Sequence, residues 1–87
     1  MIALLEGRVA ERGADRAVLS VGGVGYEIHC SATTLASLPA VGRTARVLTH
    51  LNVRDDALTL FGFATATERD LFLLLVGVNG VGPKLAL

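Results

Sequence analysis

Ala45-Arg46-Val47-Leu48-Thr49-His50-Leu51-Asn52-Val53-Arg54-Asp55-Asp56-Ala57-Leu58-Thr59-Leu60-Phe61-Gly62-Phe63 reads as two strands and the turn between them. Successive side chains of an extended chain point to opposite faces. Val47, Thr49, Leu51 and Val53 therefore share one face, and Arg46, Leu48, His50 and Asn52 the other. That alternation marks Ala45 to Val53 as a long, half-buried strand. Arg54-Asp55-Asp56-Ala57 is a tight turn, because Asp side chains hydrogen-bond the nearby backbone and favour turns. Leu58 to Phe63 is the strand that returns.

The residues upstream continue the same pattern. Ala3, Leu5, Gly7 and Val9 alternate with more polar neighbours, and Glu11-Arg12-Gly13-Ala14-Asp15 is a turn. Ala17 to Val21 is a second strand. Gly22-Gly23-Val24-Gly25 follows as a connection able to supply positive φ. Tyr26, Ile28 and Cys30 then share a face, with Glu27 and His29 opposite. Ser31 to Leu38 holds a short helical turn, which Pro39 stops. Five short strands with one small helical insertion predict a mainly β fold over residues 1–63, a five-stranded Greek-key barrel of the OB type. A five-stranded SH3-like barrel leaves almost the same pattern.

The period changes at residue 64. Thr65 and Thr67 each precede an acid by three, Glu68 and Asp70, which is the capping-box spacing. Leu71, Leu74, Leu75 and Val78 follow the i, i+3, i+4, i+7 spacing of an amphipathic helix, and Phe72 and Val76 widen the stripe. Asn79-Gly80-Val81-Gly82 breaks that helix. Pro83 suits the first position of a second one, where its missing N–H costs nothing. Residues 64–87 thus predict the beginning of a helix-hairpin-helix domain. The few residues from Lys84 to Leu87 cannot hold a helix alone, so the chain reads as part of something longer.

Composition sets outer bounds. The chain has 87 residues, 52% of them hydrophobic and 18% charged. That is too apolar for disorder and more apolar than a lone monomer's surface favours. Some apolar residues are expected to be covered by other subunits or by further chain. No apolar run reaches the roughly 18 residues of a membrane span. The N-terminus lacks the basic start and apolar core of a signal peptide. A single cysteine, Cys30, excludes an internal disulfide and fits a reducing cytoplasm. Eight basic residues balance eight acidic ones, whereas DNA-binding domains usually carry a basic excess. DNA recognition must therefore rest on local geometry.

Val78-Asn79-Gly80-Val81-Gly82-Pro83-Lys84 offers such geometry. A Gly-x-Gly hairpin entering a helix aims backbone N–H groups outward at the positive end of the helix dipole, where a phosphate fits. Gly80 and Gly82 allow close approach, Val81 plugs the hairpin into the space between the helices, Lys84 adds a positive charge, and Asn79 belongs to the same phosphate-binding set. An ordinary turn between helices with a glycine cap has the same pattern. Gly77 to Gly82 has the glycine spacing of a Walker loop, but Pro83 stands where its lysine belongs, and no third glycine completes a dinucleotide fingerprint. Asp55 and Asp56 read, on composition, as solvated turn residues. A metal nuclease would need more carboxylates nearby, and Glu6, Glu11 and Asp15 lie elsewhere. Arg54 is a phosphate contact or a local counter-charge. His29 and His50 show no metal-ligand spacing with Cys30, and no nucleophile–base pair stands out. Neither catalysis nor a metal or other cofactor is expected.

Gly22-Gly23-Val24-Gly25-Tyr26-Glu27, Thr49-His50-Leu51, Val53-Arg54-Asp55-Asp56-Ala57, Leu60-Phe61-Gly62-Phe63 and Asn79-Gly80-Val81-Gly82-Pro83-Lys84-Leu85-Ala86-Leu87 occur in an order and spacing that resemble the RuvA family of bacterial Holliday junction branch-migration subunits. The resemblance runs from Met1 to the last residue. It implies an OB-type barrel, then two helix-hairpin-helix motifs, then a small domain that contacts the RuvB motor. It also implies a homotetramer, or two tetramers as an octamer, holding four-way junction DNA, with the RuvC resolvase in the same complex. Asp55 and Asp56 map onto the family's acidic pin at the junction centre, where Glu then Asp is usual. Gly80, Gly82 and Lys84 map onto the first DNA-gripping hairpin. The second hairpin and the motor-contacting domain have no counterpart in this chain.

Other functions remain on the residues alone. A general OB-type single-strand binder needs exposed aromatic platforms, and most of Tyr26, Phe61, Phe63 and Phe72 read as core. An oligomerisation module would use the apolar surface for subunit contacts. The resemblance favours a non-catalytic, junction-binding subunit in recombination and repair.

Overall fold

The computed structural model describes residues 1–76 and 87. Strands β1 (Leu4–Arg12), β2 (Arg16–Val21) and β3 (Val24–Cys30) are followed by helix α1 (Ala32–Ser37). Strands β4 (Thr44–Arg54) and β5 (Ala57–Phe63) and helix α2 (Ala66–Val76) complete the order. The strands close into a barrel in the order β1-β2-β3-β5-β4. All neighbours are antiparallel except β3 and β5, which run parallel over Ile28↔Leu60, His29↔Phe61 and Cys30↔Gly62. A parallel pair needs a long crossover, and here α1 and β4 supply it. That connection makes the barrel an OB fold rather than an SH3-like one.

Local chemistry explains the joints. Gly22 and Gly23, at φ 57° and 88°, form the two-residue turn between β2 and β3. Positive φ at both positions gives a turn whose twist matches the flanking strands. β1 is bent by an irregularity between Val9 and Glu11. Its first half pairs with β4 and its second half with β2, so one curved strand closes the barrel. Gly7 sits where these pairings overlap, and a Cβ there would collide with the Ser20 carbonyl.

The alternating residues fill the interior as the pattern predicts. Val9, Leu19 and Ile28 are fully buried, with Val47 close behind. Gly62 belongs to this layer, and its missing side chain leaves room for Ile28, Cys30 and Val47. α1 plugs one end with Leu35 and Leu38. Its N-cap, Ser31, accepts from the Thr34 N–H at 3.2 Å. Arg12 reaches from β1 to the other end of α1 and donates to the carbonyls of Leu35, Leu38 and Pro39. Thr49, buried inside β4, donates to the Ile2 carbonyl at 2.7 Å, and its N–H donates to Ala3. These bonds fasten the N-terminus along β4.

A second, smaller core lies outside the barrel. Phe61 and Phe63 alternate with Leu60 and Gly62, so they point outward from β5. Phe72 of α2 covers them, with ring centroids 5.1 Å and 5.0 Å away. Leu48, Val76 and Leu87 complete the cluster. This corrects the expected helix stripe. Phe72 is the buried residue of α2, while Leu71 is 56% exposed and Leu74 72%. The helix is apolar on several sides, and the aromatic pair on β5 decides which side docks. Val78, the last member of the stripe, lies outside the described residues.

Thr65 caps α2, accepting from the Glu68 N–H at 3.2 Å. The Glu68 carboxylate does not turn back to complete a capping box. It accepts instead from the hydroxyls of Thr34 and Ser31 and ties α2 to the start of α1. The second expected box is not formed, because Thr67 already lies within the helix. No helix among the described residues is long and apolar enough to cross a membrane.

Candidate nucleic-acid interface

The β4–β5 hairpin ends in a two-residue turn. Arg54 and Ala57 are the last paired residues, and Asp55 and Asp56 form the tip. Every residue from Val53 to Leu58 is exposed, so the hairpin projects beyond the barrel. Among the described residues no basic side chain forms an ion pair with Asp55 or Asp56, and Arg54 forms none either. Two adjacent carboxylates without a counter-charge make a local negative point on a chain of zero net charge. Such a point acts over about one Debye length, ~8 Å at physiological salt.

Arg54, Asp55 and Asp56 follow one another at the exposed end of this hairpin. Asn79, Gly80, Val81, Gly82 and Lys84 lie outside the described residues. His29 and His50 are aromatic neighbours rather than ligands. His29 lies 5.9 Å from the Phe61 ring and His50 6.1 Å from Phe72. His29 also approaches Glu27 at 3.7 Å, and Glu27 pairs with Arg16 at 2.8 Å. Among the described residues no His, Cys, Asp or Glu cluster is placed to hold a metal ion. Cys30 is buried in the barrel, and desolvation pushes its thiol up to about 12. A backbone hydrogen bond with Gly62 works against that rise, and the charge of Glu68 adds to it. Such a thiol stays protonated and unreactive.

Two features escaped the sequence reading. The first is the Glu68 tie to Ser31 and Thr34, because Glu68 already had a role in a capping box. The second is a groove of about 440 Å³ at the foot of the hairpin, where β3 and β5 part. Ile2, Tyr26, Leu51, Leu58 and Leu60 line it. One signal was present: Leu51 and Val53 before the turn mirror Leu58 and Leu60 after it, so the barrel's inner face continues past its rim.

A closed five-stranded barrel of this order, with a helix between its third and fourth strands, defines an OB-fold protein. The RuvA N terminal domain family matches residues 1–62, and the chain belongs to that family. A "Holliday junction branch migration complex subunit RuvA" of Thermobifida fusca is 58% identical over all 87 residues, which are 43% of that protein. The protein of the same name from Pseudomonas putida is 53% identical over 87 residues, 42% of its length. The one from Anaeromyxobacter is 52% identical over 86 residues, 99% of this chain and 44% of that protein. The chain thus spans less than half the length of these relatives.

Proposed function

We propose that the chain recognises four-way junction DNA as the barrel-bearing part of a branch-migration subunit. The observation that carries this reading is the exposed Asp55-Asp56 tip, without an ion pair among the described residues, on a two-stranded support. Phosphates repel carboxylates, so the tip gains nothing from lying along duplex DNA. In a four-fold assembly the two acids become eight around one axis. They disfavour a continuous duplex across the centre and leave the open crossover as the tolerated shape, so specificity comes from repulsion. Attraction comes from elsewhere. Asn79, Gly80, Val81, Gly82 and Lys84, in a helix-hairpin-helix unit that opens after residue 63, grip phosphates through backbone N–H groups. Arg54 adds a phosphate contact beside the tip.

The role is non-catalytic: the subunit shapes the junction, and a RuvB-type ATPase motor moves it. Further copies of the subunit and a RuvC-type resolvase are the other partners, in the bacterial cytoplasm. The three relatives' shared name and the identity along the chain support this reading. A general single-strand binder is disfavoured, because Phe61, Phe63 and Phe72 are buried and leave the half-buried Tyr26 alone, where successive bases would need several stacking platforms.

The test is a gel-shift comparison on four-way junction and linear duplex. It uses a chimaera in which residues 1–87 replace the matching segment of the Thermobifida fusca relative. The parent binds junction in preference to duplex, and its affinity falls steeply with salt. Asp55→Asn with Asp56→Asn raises duplex binding and lowers the junction preference by about tenfold, or ~1.4 kcal/mol. Selectivity that survives both substitutions refutes the repulsive role of the tip.

A further inference from the structure

We infer that the groove between β3 and β5 is a nucleobase site, which takes an unpaired base at the junction crossover. This rests on the junction reading above, and adds a contact to bases where the tip only repels phosphates.

The position follows from the register. β3 and β5 pair only from Ile28↔Leu60 onward. Toward the hairpin, Gly25, Tyr26 and Glu27 still pair with β2, and Leu58 and Thr59 still pair with β4. Among the described residues these two segments have no strand partner across the gap. Backbone N–H and C=O groups along a parted seam can hydrogen-bond a base edge. Between them the inner face of the barrel is open: Tyr26 and Leu51 are half-buried, and Leu58 is 71% exposed.

The chemistry suits a base better than a phosphate. The walls are aliphatic apart from the Tyr26 and His29 rings, and among the described residues no lysine or arginine lines the groove. Glu27 and Thr59 supply polar groups at its edge. A volume of about 440 Å³ falls within the ~300–1,000 Å³ of small-molecule sites. Bases taken out of a stack are held in this way, by apolar and aromatic contact with polar groups at the rim. Leu58 lies two residues from the acidic tip on the same hairpin. Whatever brings the tip to the crossover brings the groove there too. The tip's charge keeps phosphates back, so bases are the part of the DNA that can approach.

The test couples protein to DNA in a double-mutant cycle with the same chimaera. Leu58→Gln changes an exposed position and leaves the barrel intact. It is measured against an intact junction and against one whose four crossover nucleotides are abasic. The inference expects Leu58→Gln to weaken binding about fivefold on the intact junction and less than twofold on the abasic one. Equal losses on both junctions overturn the base site while leaving the role of the tip standing. Altered sedimentation of the Leu58→Gln protein also overturns it, because the groove is then a contact with a second copy. A parent chimaera with no preference for junctions overturns the junction reading and this inference together.

Discussion

Phe72→Ala is the substitution that tests how α2 meets the barrel. Phe72 is 2% exposed and packs on Phe61 and Phe63, with His50 6.1 Å away. Truncating a buried Phe to Ala typically costs about 3–5 kcal/mol. Phe72 lies at the edge of a surface cluster rather than at the barrel centre, so the site can partly collapse, and the lower end, ~3 kcal/mol, is expected. A chain of 87 residues has a total stability of about 4–13 kcal/mol, so the loss is a large share of it. At about 4–8 °C per kcal/mol, the melting temperature falls by roughly 12–24 °C. Urea unfolding followed by far-ultraviolet circular dichroism measures the change. Leu71→Ala and Leu74→Ala are the controls, since both side chains are largely exposed, and each is expected to cost under ~0.5 kcal/mol. If the leucine variants lose as much as Phe72→Ala, the helix docks by the face that spacing alone suggests, and the packing described above is wrong.

Two further outcomes concern the barrel interior. Gly62→Ala places a Cβ about 3.0 Å from Ile28 Cδ1 and Val47 Cγ1 and 3.1 Å from Cys30 Sγ, so it should cost ~1–3 kcal/mol by overpacking; a neutral effect in urea unfolding would show that the layer has slack. The Cys30 thiol, raised from 9.0 to about 12 by burial, should resist iodoacetamide in the native chain and react once the chain unfolds. Because its folded value is the higher one, the associated stability is complete below about 9 and is lost as pH climbs through about 12. Cys30→Ala should remove that alkaline slope, and an unchanged slope in pH-dependent melting would point to another group.

The strands were legible because each buries one face. Val47, Thr49 and Leu51 turn inward as their spacing requires, and the exposed Val53 continues that face beyond the rim. The two-residue turn at Asp55-Asp56 was legible as a turn, since its composition leaves few alternatives. That no cation among the described residues forms an ion pair with it was not, because that depends on where Arg16, Arg46 and Arg54 fall in three dimensions. The parallel meeting of β3 and β5 was also hidden, because alternation records which face is buried and says nothing of which strand lies alongside. β5 shows the limit most clearly. Leu60 to Phe63 is buried on both faces, and such a run carries no period to read. The docking side of α2 depends on those outward phenylalanines, so the same ambiguity passed to the helix. Asn79 to Lys84, which the spacing predicts as a hairpin, lie outside the described residues.

The fastening of the N-terminus has a practical side. The Thr49 hydroxyl holds the Ile2 carbonyl, Ile2 lines the groove, and the preceding residue, Met1, is 91% exposed. An affinity tag fused ahead of Met1 would start at the rim of that groove, a short reach from the acidic hairpin. Purification handles and fluorescent labels at this end would crowd that surface. Binding measurements should use protein from which any such extension has been cleaved.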